Sequence, residues 1–288
     1  MREASPVLRA ASDAAAQAAL DAHTAASPAA IEVLSAHKTY PNGTEALLPV
    51  DLVVREGEFV TLLGPSGCGK TTLLKMIAGL LEPTDGRLLL WRRPVAALEE
   101  TQHKLAFVFQ SPTLMPWASV TRNVRLPLDL AGVDRADADA RVADALALVG
   151  LAKFADALPR ALSGGMQMRV SIARSLVVQP NLLLMDEPFG ALDEITRHKL
   201  DADLLELWRS KKFTVVFVTH SIHEAVFLST RVIMMAARPG RVVEEVTIDE
   251  PYPRTPDFMV TPRFAQYAKR LQDSLLRASR ENGQESEG

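Results

Sequence analysis

The stretch Gly64-Pro65-Ser66-Gly67-Cys68-Gly69-Lys70-Thr71 decides the fold, because a strand-like run, Phe59–Leu63, precedes it and a helical pattern, Lys70–Leu81, follows. Glycines at this spacing let consecutive backbone N–H groups turn inward around phosphate oxygens without a Cβ clash. The helix adds unpaired N–H donors and the positive end of its dipole. In such a phosphate-binding loop Lys70 reaches the β- and γ-phosphates of a nucleoside triphosphate, the Thr71 hydroxyl ligates Mg²⁺ and Thr72 lies by the α-phosphate. Cys68 reads as a small spacer in the loop rather than a reactive thiol.

Outward from the loop, strand and helix alternate. Strand 181–185 precedes helix 193–210, strand 214–219 precedes helix 221–229, and strand 231–236 follows, the pattern of a parallel α/β sheet. Asn181–Met185 ends in Asp186-Glu187-Pro188, which delivers two carboxylates to the sheet edge where such folds bind ligands. Neighbouring side chains on a strand face opposite ways, so the two are expected to have different jobs. Asp186 is the candidate for the Mg²⁺ shell and Glu187 for polarising an attacking water. Gln110 follows the strand-like Leu105–Phe109, where its amide can ligate Mg²⁺ and sense a γ-phosphate; His220 ends strand 214–219. His220 and His223 form a His-x-x-His pair, but without further ligands at metal spacing it carries no zinc-site expectation.

The 288 residues are 48% hydrophobic and 23% charged, which excludes collagen-like, disulfide-scaffold and wholly disordered chains. Thirty-two basic against 35 acidic side chains leave a net charge of −3, so a basic nucleic-acid footprint over the whole chain is excluded. The single cysteine fits a reducing compartment. Apolar runs such as Leu182–Met185 and Val215–Val218 are far below the ~20 residues of a membrane helix. Met1–Ala30 is alanine-rich, is interrupted by Glu3, Asp13 and Asp21, and reads as a low-complexity extension rather than a signal peptide.

Residues 31–250 read as the main domain, with a helical part over about 111–179 that includes a helix Ala136–Val149 closed by Gly150. Residues 251–288 read as a Pro-rich linker, a short amphipathic helix carrying Phe264, Tyr267, Ala268, Leu271 and Leu275, and a disordered tail from Glu281. That helix is expected to pack on its own domain rather than on a partner.

Leu162-Ser163-Gly164-Gly165-Met166-Gln167 opens a further amphipathic helix. Ser163 is a natural N-cap, yet Ser-Gly-Gly at a helix start is also a second anion site. One phosphate loop already saturates one triphosphate, so the second element is most useful against a nucleotide held by another subunit.

The ordered set GPSGCGKT, Gln110, LSGGM, LLLMDEP, Ala191-Leu192-Asp193 and His220 resembles the ATP-binding subunit of an ABC transporter over roughly residues 31–250. The resemblance implies an α/β fold: a P-loop NTPase core with a mixed, mainly parallel sheet, an antiparallel β-subdomain and an inserted helical subdomain. It also implies a homodimer that sandwiches two ATP molecules head to tail. Tyr40 would stack on adenine, and Gly64, Pro65, Ser66, Gly67, Cys68, Gly69, Lys70, Thr71 and Thr72 would cradle the phosphates. Gln110 would link the γ-phosphate to the membrane subunits, Ser163, Gly164 and Gly165 would form the signature, Asp193 would contact the dimer partner and His220 would face the γ-phosphate. Phe109–Trp117 and Asp186–Asp193 more narrowly resemble the bacterial nitrate/sulfonate/taurine importer branch, with Met166 in place of the usual signature glutamine and Ser111 where that branch often has Glu. The implied partners are integral-membrane permease subunits and an external solute-binding protein, with no nucleic acid. The implied place is the cytoplasmic face of the inner membrane.

Two other classes compete. A soluble ABC-type ATPase acting on DNA or ribosomes is opposed by one phosphate loop, one signature, no long coiled-coil insertion and no basic excess. A P-loop kinase or GTPase leaves Ser163-Gly164-Gly165 unexplained, and the nearest guanine-reading motif, His198-Lys199-Leu200-Asp201, lacks the asparagine.

Overall fold

The computed structural model describes residues 27–190 and 192–284; the expectations on residues 1–26, on Ala191 and on 285–288 lie outside the described residues. Strands β3 (Phe59–Leu63), β7 (Leu182–Asp186), β8 (Thr214–Thr219), β9 (Arg231–Ala236) and β6 (Leu105–Val108) form a parallel sheet, joined at one edge by antiparallel β10 (Arg241–Thr247). The order is β10-β9-β3-β8-β7-β6. Every residue of β3, β7 and β8 is buried, which is why these strands read as continuous apolar runs rather than alternating ones.

Both faces are covered. On one face lie helix α1 (Lys70–Ile77) and a second, antiparallel sheet, ordered β2 (Glu45–Arg55), β1 (Ala29–Thr39), β4 (Asp85–Leu90), β5 (Arg93–Pro94). Ile31, Leu52, Leu73 and Leu90 pack there against Leu62, Leu184 and Val218 of the parallel sheet. On the other face α5 (Glu194–Lys211), α6 (Ile222–Leu228) and α7 (Pro262–Gln284) bring Trp208, Phe227 and Leu271 onto Phe59 and Phe217. Trp208 meets Phe59 edge-on at 5.8 Å. Helices α2 (Val120–Leu130), α3 (Arg135–Leu148) and α4 (Gly164–Leu176) share a core of their own around Val124, Val142, Leu146 and Val170. Among the described residues no helix is long and apolar enough to cross a membrane.

Four expectations are corrected. The helix predicted over Lys70–Leu81 ends at Ile77, because Gly79 takes φ +69° and caps it: Leu80 N donates to Lys75 O at 2.9 Å and Gly79 N to Met76 O at 3.0 Å. The same pair of bonds at Gly150 closes α3 where the sequence predicts it. Order begins before Ile31, since β1 starts at Ala29 and Ala30 is buried. Residues 251–256 are no loose linker: Tyr252 is buried, and Arg254 is buried with its guanidinium donating to the carbonyls of Val226, Phe227, Ser229, Ile248 and Glu250. Five backbone acceptors satisfy a charge whose burial would otherwise be costly, and they bind the chain to the end of α6. The C-terminal helix is neither short nor finished before Glu281; it spans 23 residues. Phe264 and Leu271 on its inner face join the main core, so this helix packs on its own domain.

Candidate nucleotide-binding and hydrolytic site

The chain between β3 and α1 bends where Gly67 (φ +79°) and Gly69 (φ +88°) permit it. At Gly64 a Cβ would stand 2.4 Å from Met235 O, so only glycine fits that strand exit. Lys70 is 4% exposed and its Nζ donates back to Gly64 O at 2.7 Å and Pro65 O at 2.9 Å, so the cation lies inside the curl of the loop. Burial pushes the Cys68 thiol up against the opposing influence of Lys70, which fits the spacer reading better than a nucleophile.

The parallel register brings the ends of β7 and β8 beside this loop. Thr71 Oγ1 donates to Asp186 Oδ1 at 2.8 Å. Burial pushes the Asp186 carboxyl up, opposed by that hydrogen bond. A hydroxyl and a carboxylate in contact are hard oxygen donors, the kind Mg²⁺ prefers. Glu187 departs from simple alternation. The pleat stops at Asp186, and Glu187 takes φ +44° with its N–H bonded to Val218 O, so both carboxylates reach the same side. Glu187 Oε2 lies 3.2 Å from His220 Nδ1 and 3.5 Å from Gln110 Nε2, and Oε1 lies 3.9 Å from Lys70 Nζ. Residues from three separate places in the chain thus converge on one carboxylate.

Outside this cluster is a cleft of about 510 Å³, lined by Tyr40, Ser66, Gly67, Gly69, Lys70, Thr71, Thr72, Gln110 and Glu187. Five further lining residues, Thr44, Glu45, Ala46, Arg238 and Gly240, escaped the sequence reading. A Cβ on Gly240 would stand 2.5 Å from Ala46 O and 2.6 Å from Cys68 O, so this glycine holds the β9–β10 turn against the loop. Arg238-Pro239-Gly240 at a strand exit is a turn signal that could have flagged Arg238 and Gly240.

Ser163, Gly164, Gly165 and Asp193 are not among the cleft's lining residues. Ser163 caps α4, accepting from Met166 N at 3.3 Å, and Asp193 caps α5, accepting from Thr196 N at 3.0 Å. That hydrogen bond draws the exposed Asp193 carboxyl down. A Cβ on Gly165 would meet Leu192 at 3.3 Å and Thr196 at 3.4 Å, so the two caps sit together as a second surface, with Ser163, Gly164 and Asp193 exposed. His223 is turned away from His220's partners, with its ring 5.5 Å from Phe264.

A match to the ABC transporter family covers residues 47–190, half of the chain. The chain belongs to the ABC transporter family. It is an ABC-type ATPase. It is 45% identical to the taurine import ATP-binding protein TauB of Rhizobium johnstonii, over 82% of this chain and 91% of that protein. It is 41% identical to the aliphatic sulfonates import ATP-binding protein SsuB of Bacillus cereus, over 78% and 88%. A dimeric ATP-binding cassette solved in a post-hydrolysis state with ADP and Pi superposes with a TM-score of 0.69 at 34% identity, over 76% of this chain and 99% of that one.

The family also disposes of Asp201 as a base reader. In this ABC ATPase it is 1% exposed, and burial, with Glu224 adding and Arg197 opposing, pushes its carboxyl from 3.8 to about 8. The folded chain keeps a proton that the unfolded chain releases, so stability falls as pH rises from about 4 to about 8. Asp201→Asn, neutral throughout, is expected to melt higher than wild type at pH 8, with the difference shrinking toward pH 4 in a calorimetric series. A difference that does not change with pH would contradict the raised value.

Proposed function

We propose that this ABC ATPase powers a membrane importer for a small anion of the taurine, sulfonate or nitrate kind. The observation that carries the reading is the convergence of Lys70, Gln110 and His220 on Glu187 at the mouth of the phosphate loop. The importer class and its solute rest on the likeness to taurine and sulfonate import subunits.

In this account Gly64–Thr72 cradle the triphosphate, Tyr40 stacks on adenine, and Lys70 neutralises charge on the β- and γ-phosphates. Thr71 and Asp186 would hold Mg²⁺, with Gln110 completing the approach; bound there, the ion would screen the phosphates and polarise their oxygens. Glu187 accepts the proton of the attacking water, and His220 and Gln110 hold that carboxylate in place. The surface of Ser163, Gly164 and Asp193, backed by Gly165, faces the nucleotide of a second copy, which makes the working unit a head-to-tail homodimer. Dimer closure on ATP and reopening after hydrolysis drive permease subunits from the cytoplasmic face of the membrane, with an external solute-binding protein supplying the anion.

The test is a pull-down of tagged Glu187→Gln chain with ATP from detergent-solubilised membranes, with partners identified by mass spectrometry. A multi-span permease with a solute-binding protein is the expected result; ribosomal or DNA-repair proteins alone would overturn the transport reading. Ser163→Arg places a bulky cation on the exposed cap and is expected to spare ATP binding while reducing turnover by about 100-fold or more. Wild-type turnover in that variant would exclude a signature acting across a dimer.

A further inference from the structure

Behind the hydrolytic site lies a buried charge cluster that touches none of the phosphate-loop residues. Asp201 in α5 and Glu224 in α6 are both buried, and Arg197 stands between them and the Asp193 segment. Arg197 Nη2 donates to Leu192 O at 2.9 Å, one residue before Asp193, while its Nε lies 3.7 Å from Glu224 Oε1. Glu224 Oε2 accepts the Thr219 hydroxyl, whose oxygen in turn accepts Ser221 N at 2.9 Å. Thr219 and Ser221 flank His220, and His220 Nδ1 faces Glu187. A series of polar contacts, with one looser joint of 3.7 Å between Arg197 and Glu224, therefore runs from the Asp193 segment to the chain on either side of His220.

A buried ion pair is often no more stabilising than apolar residues of the same volume, and its best-attested benefit is to fix position. The Arg197 to Glu224 contact is longer than a hydrogen bond, and Arg197 Nε and Asp201 Oδ1 have no hydrogen-bond partner among the described residues. The joint thus has room to tighten when Leu192 moves.

We propose that Arg197 and Glu224 are positioning residues that couple the Asp193 segment to His220, so that contact made by Asp193 with a second subunit sets the imidazole facing Glu187. The proposal rests on the ATPase roles given above to Glu187 and His220. Displacement of the Leu192 carbonyl moves the guanidinium, Glu224 follows, and the Thr219–Ser221 bracket carries the shift to His220. Asp201, its carboxyl pushed up to about 8, stays protonated at neutral pH and leaves the single guanidinium to Glu224. Burial also pushes Glu224 up, with Thr219, Arg197 and His220 opposing.

The test compares Arg197→Met, Glu224→Gln and Thr219→Val with wild type in the full chain copurified with its membrane partners, reading kcat and KM for MgATP. Each is expected to lower kcat by about 10-fold with KM within about 2-fold, because misplacement of a catalytic group costs rate rather than substrate affinity. Links in series lose function together, so Arg197→Met with Glu224→Gln should be no slower than the slower single variant. Thr219→Val is nearly isosteric and breaks the series at a different joint, so it decides the matter if the charge variants fold poorly. A wild-type kcat in Thr219→Val, KM rising as steeply as kcat falls, or additive losses would overturn the coupling while leaving the ATPase reading intact. A wild-type complex that hydrolyses no ATP would overturn both.

Discussion

Glu187→Gln should bind ATP at least as tightly as wild type and turn it over about 10²–10⁴-fold more slowly, the usual cost of removing a general base. The substitution is nearly isosteric, so the left-handed turn at φ +44° and the bond from Glu187 N to Val218 O are retained. What disappears is the proton acceptor on which His220 Nδ1 (3.2 Å), Gln110 Nε2 (3.5 Å) and Lys70 Nζ (3.9 Å) converge. Removing a negative charge beside the phosphates also relieves repulsion with the γ-phosphate, which favours the ATP-bound state. Stopped-flow binding and single-turnover hydrolysis in the assembled complex separate the two effects. Turnover at the wild-type rate would show that another group takes the proton.

Lys70→Ala should lose ATP binding by at least about 100-fold, because two charge-assisted contacts to phosphate are removed together, each worth about 1.5–3 kcal/mol. The side chain is 4% exposed and folded into the loop, donating to Gly64 O and Pro65 O. Those bonds pre-place the ammonium among the backbone donors of the loop, so little ordering remains to be done when phosphate arrives. The truncation also strips Gly64 O and Pro65 O of their donor, so circular dichroism must accompany the titration. Retained micromolar affinity in a folded Lys70→Ala chain would sink the assignment of the phosphate loop.

Much of this architecture is legible in the amino-acid sequence. The strands β3, β7 and β8 announce themselves because both of their faces are buried, and the apolar runs admit no other placement once a Gly-rich loop follows one of them. The carboxylates at 186 and 187 are legible for the same reason, since a parallel sheet presents its ligands at the strand ends. What escapes reading is set by backbone geometry or by long-range packing. The positive φ of Glu187 brings two adjacent carboxylates to one side where alternation predicts opposite ones. Gly79 ends α1 four residues early through two cap bonds that an apolar pattern continuing through Leu80-Leu81 conceals. Gly240 matters only because Ala46 O and Cys68 O, both distant in sequence, crowd the same point. Arg254 looks like a linker charge until five carbonyls surround it. Arg197 and Glu224 lie on separate helices, and nothing in either helix names the other as a partner.

The central claim is that ATP is held between the phosphate loop of one copy and Ser163–Gly165 of another. Light scattering after size exclusion of Glu187→Gln chain, with MgATP or with ADP and with bound nucleotide counted, tests it directly. The account predicts a dimer carrying two ATP in MgATP, a monomer in ADP, and no dimer when Ser163→Arg is added. A chain that stays monomeric at saturating ATP, or that dimerises equally in ADP and with Ser163→Arg present, would contradict it.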